Sequence, residues 1–487
     1  PSWVAYNYYT ALHFLLAGVG AYALGRVMHL RRPGALVAGL VYMLSGPLLF
    51  HSHHTNIVVG IAWLPVLLLL LEVIFRRPTV LRLMLFAAAS AALALGAQPQ
   101  YTIYNALVCG LFVLWRLAGV VLHDEDGKRA KRLVGALAAA GLLAVLLAAV
   151  QVLPLMELVG HSSRSVGGQA LLSPTAPGNL MTVFLPRYFG APGLASYWGC
   201  RADGIYTEVT LFLGVAPLLL AAVGLGCDRK QRTLFFAAFG AFAMLFAMGN
   251  RGLVYSVLRY VPLLGSGRFA QRFAYVAALS LGILAGCGLQ ALLHCDNRRR
   301  VRRSLLIGGG LVLLLGAVSM VVARACTAHL AGLSPEELEA ALEAKDSLLP
   351  PAILWTYMHH TLPTDLLRLG GVMTAGTALM ILGAERRLRG RWLVGGWVLL
   401  IFLELALAGY DFTAVTSHDL YRQPPPLARR LDKLIQAEPG RIHRIDTALL
   451  GGLYQPVASY PHSQGWAVSP GLYVKCLDRL PPNSNLL

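Results

Sequence analysis

Long apolar stretches recur along most of the chain, at 8–28, 34–50, 57–75, 81–97, 101–121, 133–153, 208–226, 233–248, 274–293, 304–323, 366–384 and 392–411. Each is roughly 16 to 22 residues, the length an α-helix needs to cross a hydrocarbon core. Lipid offers no water to backbone N–H and C=O groups, so a spanning segment must satisfy them internally. The pattern predicts an all-α polytopic membrane protein with about twelve transmembrane helices. Composition agrees, since 56% of the 487 residues are hydrophobic and only 13% are charged, about half the charge of an ordinary soluble domain. The 50 glycines suit close packing of helices in lipid.

The net charge of +18 would suggest nucleic acid in a soluble protein. Here many of the basic residues sit in short loops beside apolar spans, where they act as topology signals. No nucleic-acid partner is expected. Arg26, Arg31 and Arg32 follow the first span, Arg76, Arg77 and Arg82 the third, and Lys128, Arg129, Lys131 and Arg132 the fifth. The series continues at Arg229, Lys230 and Arg232, at Arg298 to Arg303, and at Arg386, Arg387, Arg389 and Arg391. The positive-inside rule places all six loops in the cytoplasm. The segments 51–56, 98–100, 154–207, 249–273, 324–365 and 412–487 then face outward.

This alternation makes 1–411 a transmembrane domain with large outer loops at 154–207, 249–273 and 324–365. Ser334-Pro335-Glu336-Glu337 is a capping signal for a short helix to about Lys345. After Asp411 hydropathy falls, and PPPLARRLDKLIQ followed by RIHRID reads as an amphipathic helix and a strand. A small extracytoplasmic α+β segment is expected at 412–487. Since the first span runs inward with neither an initiator Met nor a signal peptide before it, the sequence reads as a fragment lacking an earlier helix. The ending LPPNSNLL likewise reads as cut short.

Chemistry on the outer side rests on few residues. Arg164, Arg187, Arg201, Arg251, Arg259, Arg268 and Arg272 are outward arginines that topology alone does not require. A planar guanidinium grips phosphate bidentately, which suits a lipid-linked phosphate at the membrane surface. Snorkelling to headgroups or pairing with Asp203 and Glu208 is the alternative. Arg268 and Arg272, in RFAQRF, favour the functional reading. Glu157 and Glu208 flank spans and are the candidate general bases, since a carboxylate at a membrane boundary can be raised into a useful range. A cap or an ion pair with a neighbouring arginine is their alternative role. His51, His53 and His54 crowd the HSHHTN loop, where imidazoles either share a metal or merely cap and solvate the span. Glu404 lies deep in the last span, where a neutral carboxyl bonded to a neighbouring helix is the favoured reading. The seven cysteines show no CxxC pair and no zinc spacing. No Walker A, GxSxG or HExxH motif is present, so ATP hydrolysis is unsupported.

The runs GLVYMLSGPLLFHSHHTNIVVGIAWLPVLLLLLE, GAQPQYTIYNAL, QVLPLMELVGHSSRS, YTEVTLFLGVAPLLLA and SGRFAQRFAYVAALSLGILAGCGLQALL resemble, in this order, segments of YfhO-type bacterial membrane proteins. These are similar to the C superfamily of glycosyltransferases, polytopic enzymes that use polyprenyl-phosphate sugars. The resemblance implies an inverting hexosyltransferase on the outer face of the bacterial cytoplasmic membrane. It would move a sugar from a polyprenyl-phosphate donor to a teichoic acid, glycan or lipid acceptor of the envelope. By the same resemblance Arg164, Arg268 and Arg272 would hold the donor phosphate, and His51, His54, Asn56, Gln98 and Gln100 would line the substrate or a metal. Glu157 or Glu208 would serve as base. The superfamily's principal Asp belongs to a loop that would precede Pro1. HSHHTN stands where a second acidic motif is expected, which leaves open whether a divalent cation such as Mg or Mn takes part.

A flippase or transporter of lipid-linked sugars is the rival class. It calls for repeated halves and a midplane site; no internal repeat is evident, and the polar groups gather at the outer rim. A non-catalytic envelope-assembly protein is the third reading.

Overall fold

A computed structural model describes residues 2–122, 127–160, 177–191, 194, 196, 206–249, 252–260, 269–295, 297–332 and 356–410. Among them the chain is helical almost throughout and contains no strand. The elements are α1 (Ser2–Val27), α2 (Arg32–Met43), α3 (Gly46–Leu49), α4 (Thr55–Ala62), α5 (Leu64–Arg76), α6 (Val80–Gly96), α7 (Pro99–Val121), α8 (Lys128–Leu147) and α9 (Ala149–Gly160). A 3-10 turn at Pro177–Val183 precedes α10 (Tyr206–Val209), α11 (Val215–Cys227), α12 (Gln231–Ala247) and α13 (Leu253–Leu258). A second 3-10 turn, Ala270–Phe273, leads into α14 (Ala274–His294). Next come α15 (Arg298–Ser304), a π-helical turn at Leu305–Gly309, α16 (Gly310–Ala331), α17 (Leu362–Ala384) and α18 (Gly390–Tyr410).

Among the described residues eight helices are long and apolar enough to cross a membrane: Val4–Val27, Thr55–Arg76, Pro99–Val121, Lys128–Leu147, Ala270–His294, Arg298–Ala325, Tyr357–Ala384 and Gly390–Tyr410. The chain is thus an all-α polytopic membrane protein. The other four expected spans are shorter helices, and two of them have a local cause. The stretch 34–50 breaks after Met43, where Gly46-Pro47 opens α3 and the proline ring cannot continue the α2 ladder. The stretch 208–226 holds the end of α10 and the 13-residue α11, separated by non-helical backbone at 210–214. Gly214 there takes φ +86°, a conformation that costs other residues steric strain.

Broken backbone inside an apolar bundle must still find hydrogen-bond partners. Leu211 N donates to Thr182 Oγ1 at 2.8 Å, and Phe212 O accepts from Gly46 N at 3.0 Å. Glu404, in α18, caps the start of α11: its two carboxylate oxygens accept from Val215 N at 2.6 Å and Ala216 N at 2.9 Å. The acid expected within the last span is therefore bonded to a neighbouring helix, whose first turn it caps.

α14 is buried on nearly all sides and packs on α2, α11 and α12. Glycines permit this. A Cβ on Gly288 would lie within about 1.8 Å of Leu220 O, and one on Gly286 within about 2.4 Å of Gly34 O, so helix backbones touch at both crossings.

The bundle sorts its loops into two ends. At one end Arg76 reaches His29 Nε2 at 3.0 Å and Arg129 reaches Phe75 O at 3.1 Å. Arg232 bonds Met28 O, and Glu72, only 3% exposed, pairs with Arg76 and Arg116 at 3.0 Å each. The segments 51–56, 98–100, 207–208 and 269–272 meet at the other end. The expected α+β segment 412–487, the helix from Ser334 and most of 154–207 lie outside the described residues.

Candidate functional site

Three spans begin side by side at the second end: α4 after His54, α7 after Gln98, and the turn into α14 at Ala270. The unsatisfied N–H groups of such helix starts make a positive locale suited to anions. α10 places Glu208 among them. Both oxygens of Glu208 face Arg272, with Nε at 2.9 and 3.0 Å and Nη2 at 2.5 Å from Oε1. The remaining arm of the guanidinium, Nη1, donates to Gln98 Oε1 at 2.6 Å and Gln100 Oε1 at 3.3 Å. The Phe269 ring lies 4.7 Å below the guanidinium carbon. Gln100 Nε2 donates in turn to Tyr104 Oη at 2.8 Å and Phe269 O at 2.9 Å, which fixes its amide orientation.

His51 completes the cluster from the opposite side. Its Nδ1 lies 2.9 Å from Pro47 O, so it must carry the proton there. The other nitrogen, Nε2, points at Glu208 Oε2 from 3.6 Å and makes no hydrogen bond, although His51 is only 3% exposed. Burial of Glu208 alone would raise its pKa, but the facing His51 and the Arg272 fork overcome this and hold it at about 2. Glu208 is ionised, and in this state it is a weak base.

His54 and His53 meet at the rim with ring centroids 4.0 Å apart and planes tilted by 48°. Desolvation first, then the neighbouring imidazoles, lower both pKa values, His53 to about 4. Asn56 contributes its backbone carbonyl, which accepts from Gln98 N at 3.1 Å. The fold thus gathers His51, Gln98, Gln100, Glu208 and Arg272 into one constellation, with His51 and Glu208 buried and the other three partly so, and with His54 and Asn56 beside it. Glu157 is elsewhere, on the exposed face of α9, a helix that packs on α8 and α6. Arg164 and Arg268 lie outside the described residues.

Sequence reasoning did not single out Tyr104 or Asn105. Tyr104 is a buried aromatic within an apolar span, indistinguishable in sequence from core. Asn105 bonds Gly60 O at 2.7 Å and accepts from Tyr275 Oη at 3.1 Å, pinning α7 to α4 and α14. A lone amide one turn inside a span was the available signal. Asp365, fully buried, was missed as well: it accepts from Arg187 N at 2.9 Å and lies 3.7 Å from Arg187 Nη1 and 3.4 Å from Arg368 Nε. Arg187 is thereby a buried structural partner that ties the 177–191 segment to α17.

A divalent cation does not fit this cluster. His51 Nδ1 is committed to a carbonyl, Glu208 is occupied by Arg272, and the guanidinium would repel a second cation. Among the described residues no group of three His, Cys, Asp or Glu side chains is placed to hold a metal. No family model, curated protein or solved structure matches the chain.

Proposed function

We propose that the chain is a membrane glycosyltransferase that takes a sugar from a polyprenyl-phosphate donor and gives it to an acceptor hydroxyl of the cell envelope. The face carrying His51, Glu208 and Arg272 would be extracytoplasmic in a bacterial plasma membrane. The single observation that carries this reading is the convergence of five polar side chains from four distant segments of the sequence at the starts of three spans, one of them an ionised carboxylate and one a guanidinium. A phosphate anchored in the membrane by its polyprenyl chain would reach this rim. The resemblance to YfhO-type proteins and the glycosyltransferase C superfamily supplies the donor and acceptor classes.

In the resting state Glu208 and Arg272 satisfy each other. A donor phosphate entering at the helix starts competes for the guanidinium and for the amides of Gln98 and Gln100, which take over the charge. Glu208, released from its main counter-charge but still desolvated, rises in basicity. It can then accept the proton of an acceptor hydroxyl while that oxygen bonds the anomeric carbon. The bond from that carbon to the phosphate oxygen breaks, its electron pair leaves with the polyprenyl phosphate, and the anomeric centre inverts. His51, held on Pro47 O, stays across from Glu208 and limits where the hydroxyl sits.

The test is transfer of radiolabelled sugar from polyprenyl-phosphate carriers into envelope polymer, in membranes containing the protein. Label should enter polymer with the wild type and fall by about a hundredfold or more with Arg272→Ala, as for removal of a charge-stabilising donor. Glu208→Gln should do the same. A second reading, a flippase, draws on the discontinuous backbone at 210–214. Carrier sugar that changes leaflet without labelling polymer would establish that reading and remove the acid and base roles.

A further inference from the structure

A second concavity opens at the opposite end of the bundle and runs along α14 as far as Ala277. It is a cleft of about 980 Å³ between α11, α12, α14 and the joined helix α15–α16. Leu218, Met244, Leu284 and Leu311 contribute to its walls, and Arg229, Arg299, Arg300 and Arg303 gather at its mouth. All four arginines are exposed. None is ion-paired with a described carboxylate: the nearby Asp228 is taken by Arg232 at 2.8 Å.

The positive-inside bias accounts for basic residues on this side, but not for a cleft beneath them. The cleft exists because small residues let the helices meet at one point and part above it. A Cβ on Gly226 would collide with Ser304, and one on Gly308 would lie 2.9 Å from Ala222 Cβ. Between these contacts the helix carries its π-helical turn, Leu305–Gly309, a local widening that often marks a functional position. The 13-residue α11 gives the wall a depth of about 20 Å, roughly two-thirds of a hydrocarbon core.

We propose that this cleft binds an anionic glycerophospholipid of the arginine-side leaflet, with its phosphate on Arg299, Arg300 and Arg303 and one acyl chain along α11. Charge complementarity selects an anionic head, because four guanidinium groups with no described carboxylate partner present bidentate donors at one edge. The apolar depth selects a lipid over a soluble phosphate, which would leave the walls uncovered. Its arginine mouth is at the far end of α14 from Arg272, so the headgroup is held apart from the donor phosphate discussed above, and the site stands whether or not transfer occurs.

The experiment is native mass spectrometry of the purified protein in detergent, titrated with phosphatidylglycerol, phosphatidylcholine or inorganic phosphate. Phosphatidylglycerol should bind in preference to phosphatidylcholine. Replacing Arg299, Arg300 and Arg303 with Ala should weaken it by about a hundredfold. Ala241→Trp, which fills the cleft and spares the arginines, should also abolish the preference. Equal retention of phosphatidylcholine overturns the proposal. So does a preference that survives Ala241→Trp, because the arginines would then attract headgroups without a seated chain. Inorganic phosphate binding as tightly as the lipid overturns it too. If the alanine triple lowers the yield of folded protein, Ala241→Trp and the charge-preserving lysine triple decide the matter.

Discussion

Glu208 is 4% exposed and Arg272 answers it with three short contacts. Removing one member of a buried pair strands the other, which costs about 3–5 kcal/mol. Glu208→Ala should therefore lower thermal stability in detergent markedly, whereas replacing both Glu208 with Gln and Arg272 with Met should recover part of the loss. A double variant no more stable than Glu208→Ala would show that the pair is not coupled. The pKa shifts set the acid limb. Glu208, held at about 2 against an ordinary 4.5, contributes stability present above 4.5 and lost as pH falls towards 2. His53, at about 4 against 6.5, and His54, also lowered, bind fewer protons folded than unfolded. The His53 contribution is complete above pH 6.5 and is lost as pH falls towards 4, and His54 acts in the same direction. Melting curves at pH 7, 5.5 and 4.5 should show this decline, and the His53→Gln/His54→Gln variant should flatten it.

Elements meet where side chains are absent or where one side chain completes another helix. Gly288 has no room for a methyl group, because a Cβ would fall within about 1.8 Å of a backbone oxygen of α11. Gly288→Ala must push α11 and α14 apart. The expected cost is at least the 1–3 kcal/mol of ordinary overpacking, read as a lower melting temperature, while Gly395→Ala, which meets open space, should leave it unchanged. Glu404 joins α18 to α11 through two buried N–H groups. Glu404→Ala orphans both, at about 1–3 kcal/mol each. Glu404→Gln keeps one acceptor and sets an amide N–H against the other donor, so its loss should be intermediate. Equal melting of all three proteins would remove the capping role.

Across the whole molecule, the arginine-rich loops and the polar rim occupy opposite ends of one bundle. A single Cys introduced at Asn56 and one at Arg229, in a background without the native cysteines, should react with an impermeant maleimide from opposite sides of oriented vesicles. Labelling of both from one side would overturn the alternating topology. Four of the twelve stretches that hydropathy marks as spans are short helices here, because hydropathy measures burial and does not distinguish lipid from protein. α11 is apolar since it lies against α14, α15 and α16, and its missing turns are replaced by the Glu404 cap and the Thr182 hydrogen bond.

Apolar stretch length and loop charge sufficed to establish an all-α membrane protein and to place 51–56, 98–100, 208 and 272 on one side, since both properties act locally along a chain crossing lipid. Arg272 and Glu208 were legible as outward charges, but not as each other's partner. Sixty-four residues separate them, and ion pairing depends on distance in space, which the crossing of α14 with its neighbours sets. The same holds for His51, whose committed Nδ1 and unpartnered Nε2 depend on Pro47 and Glu208 standing on opposite sides of its ring. The arginines at 298–303 were legible as a topology signal, whereas the cleft beneath them arises only where Gly226 and Gly308 let two helices touch.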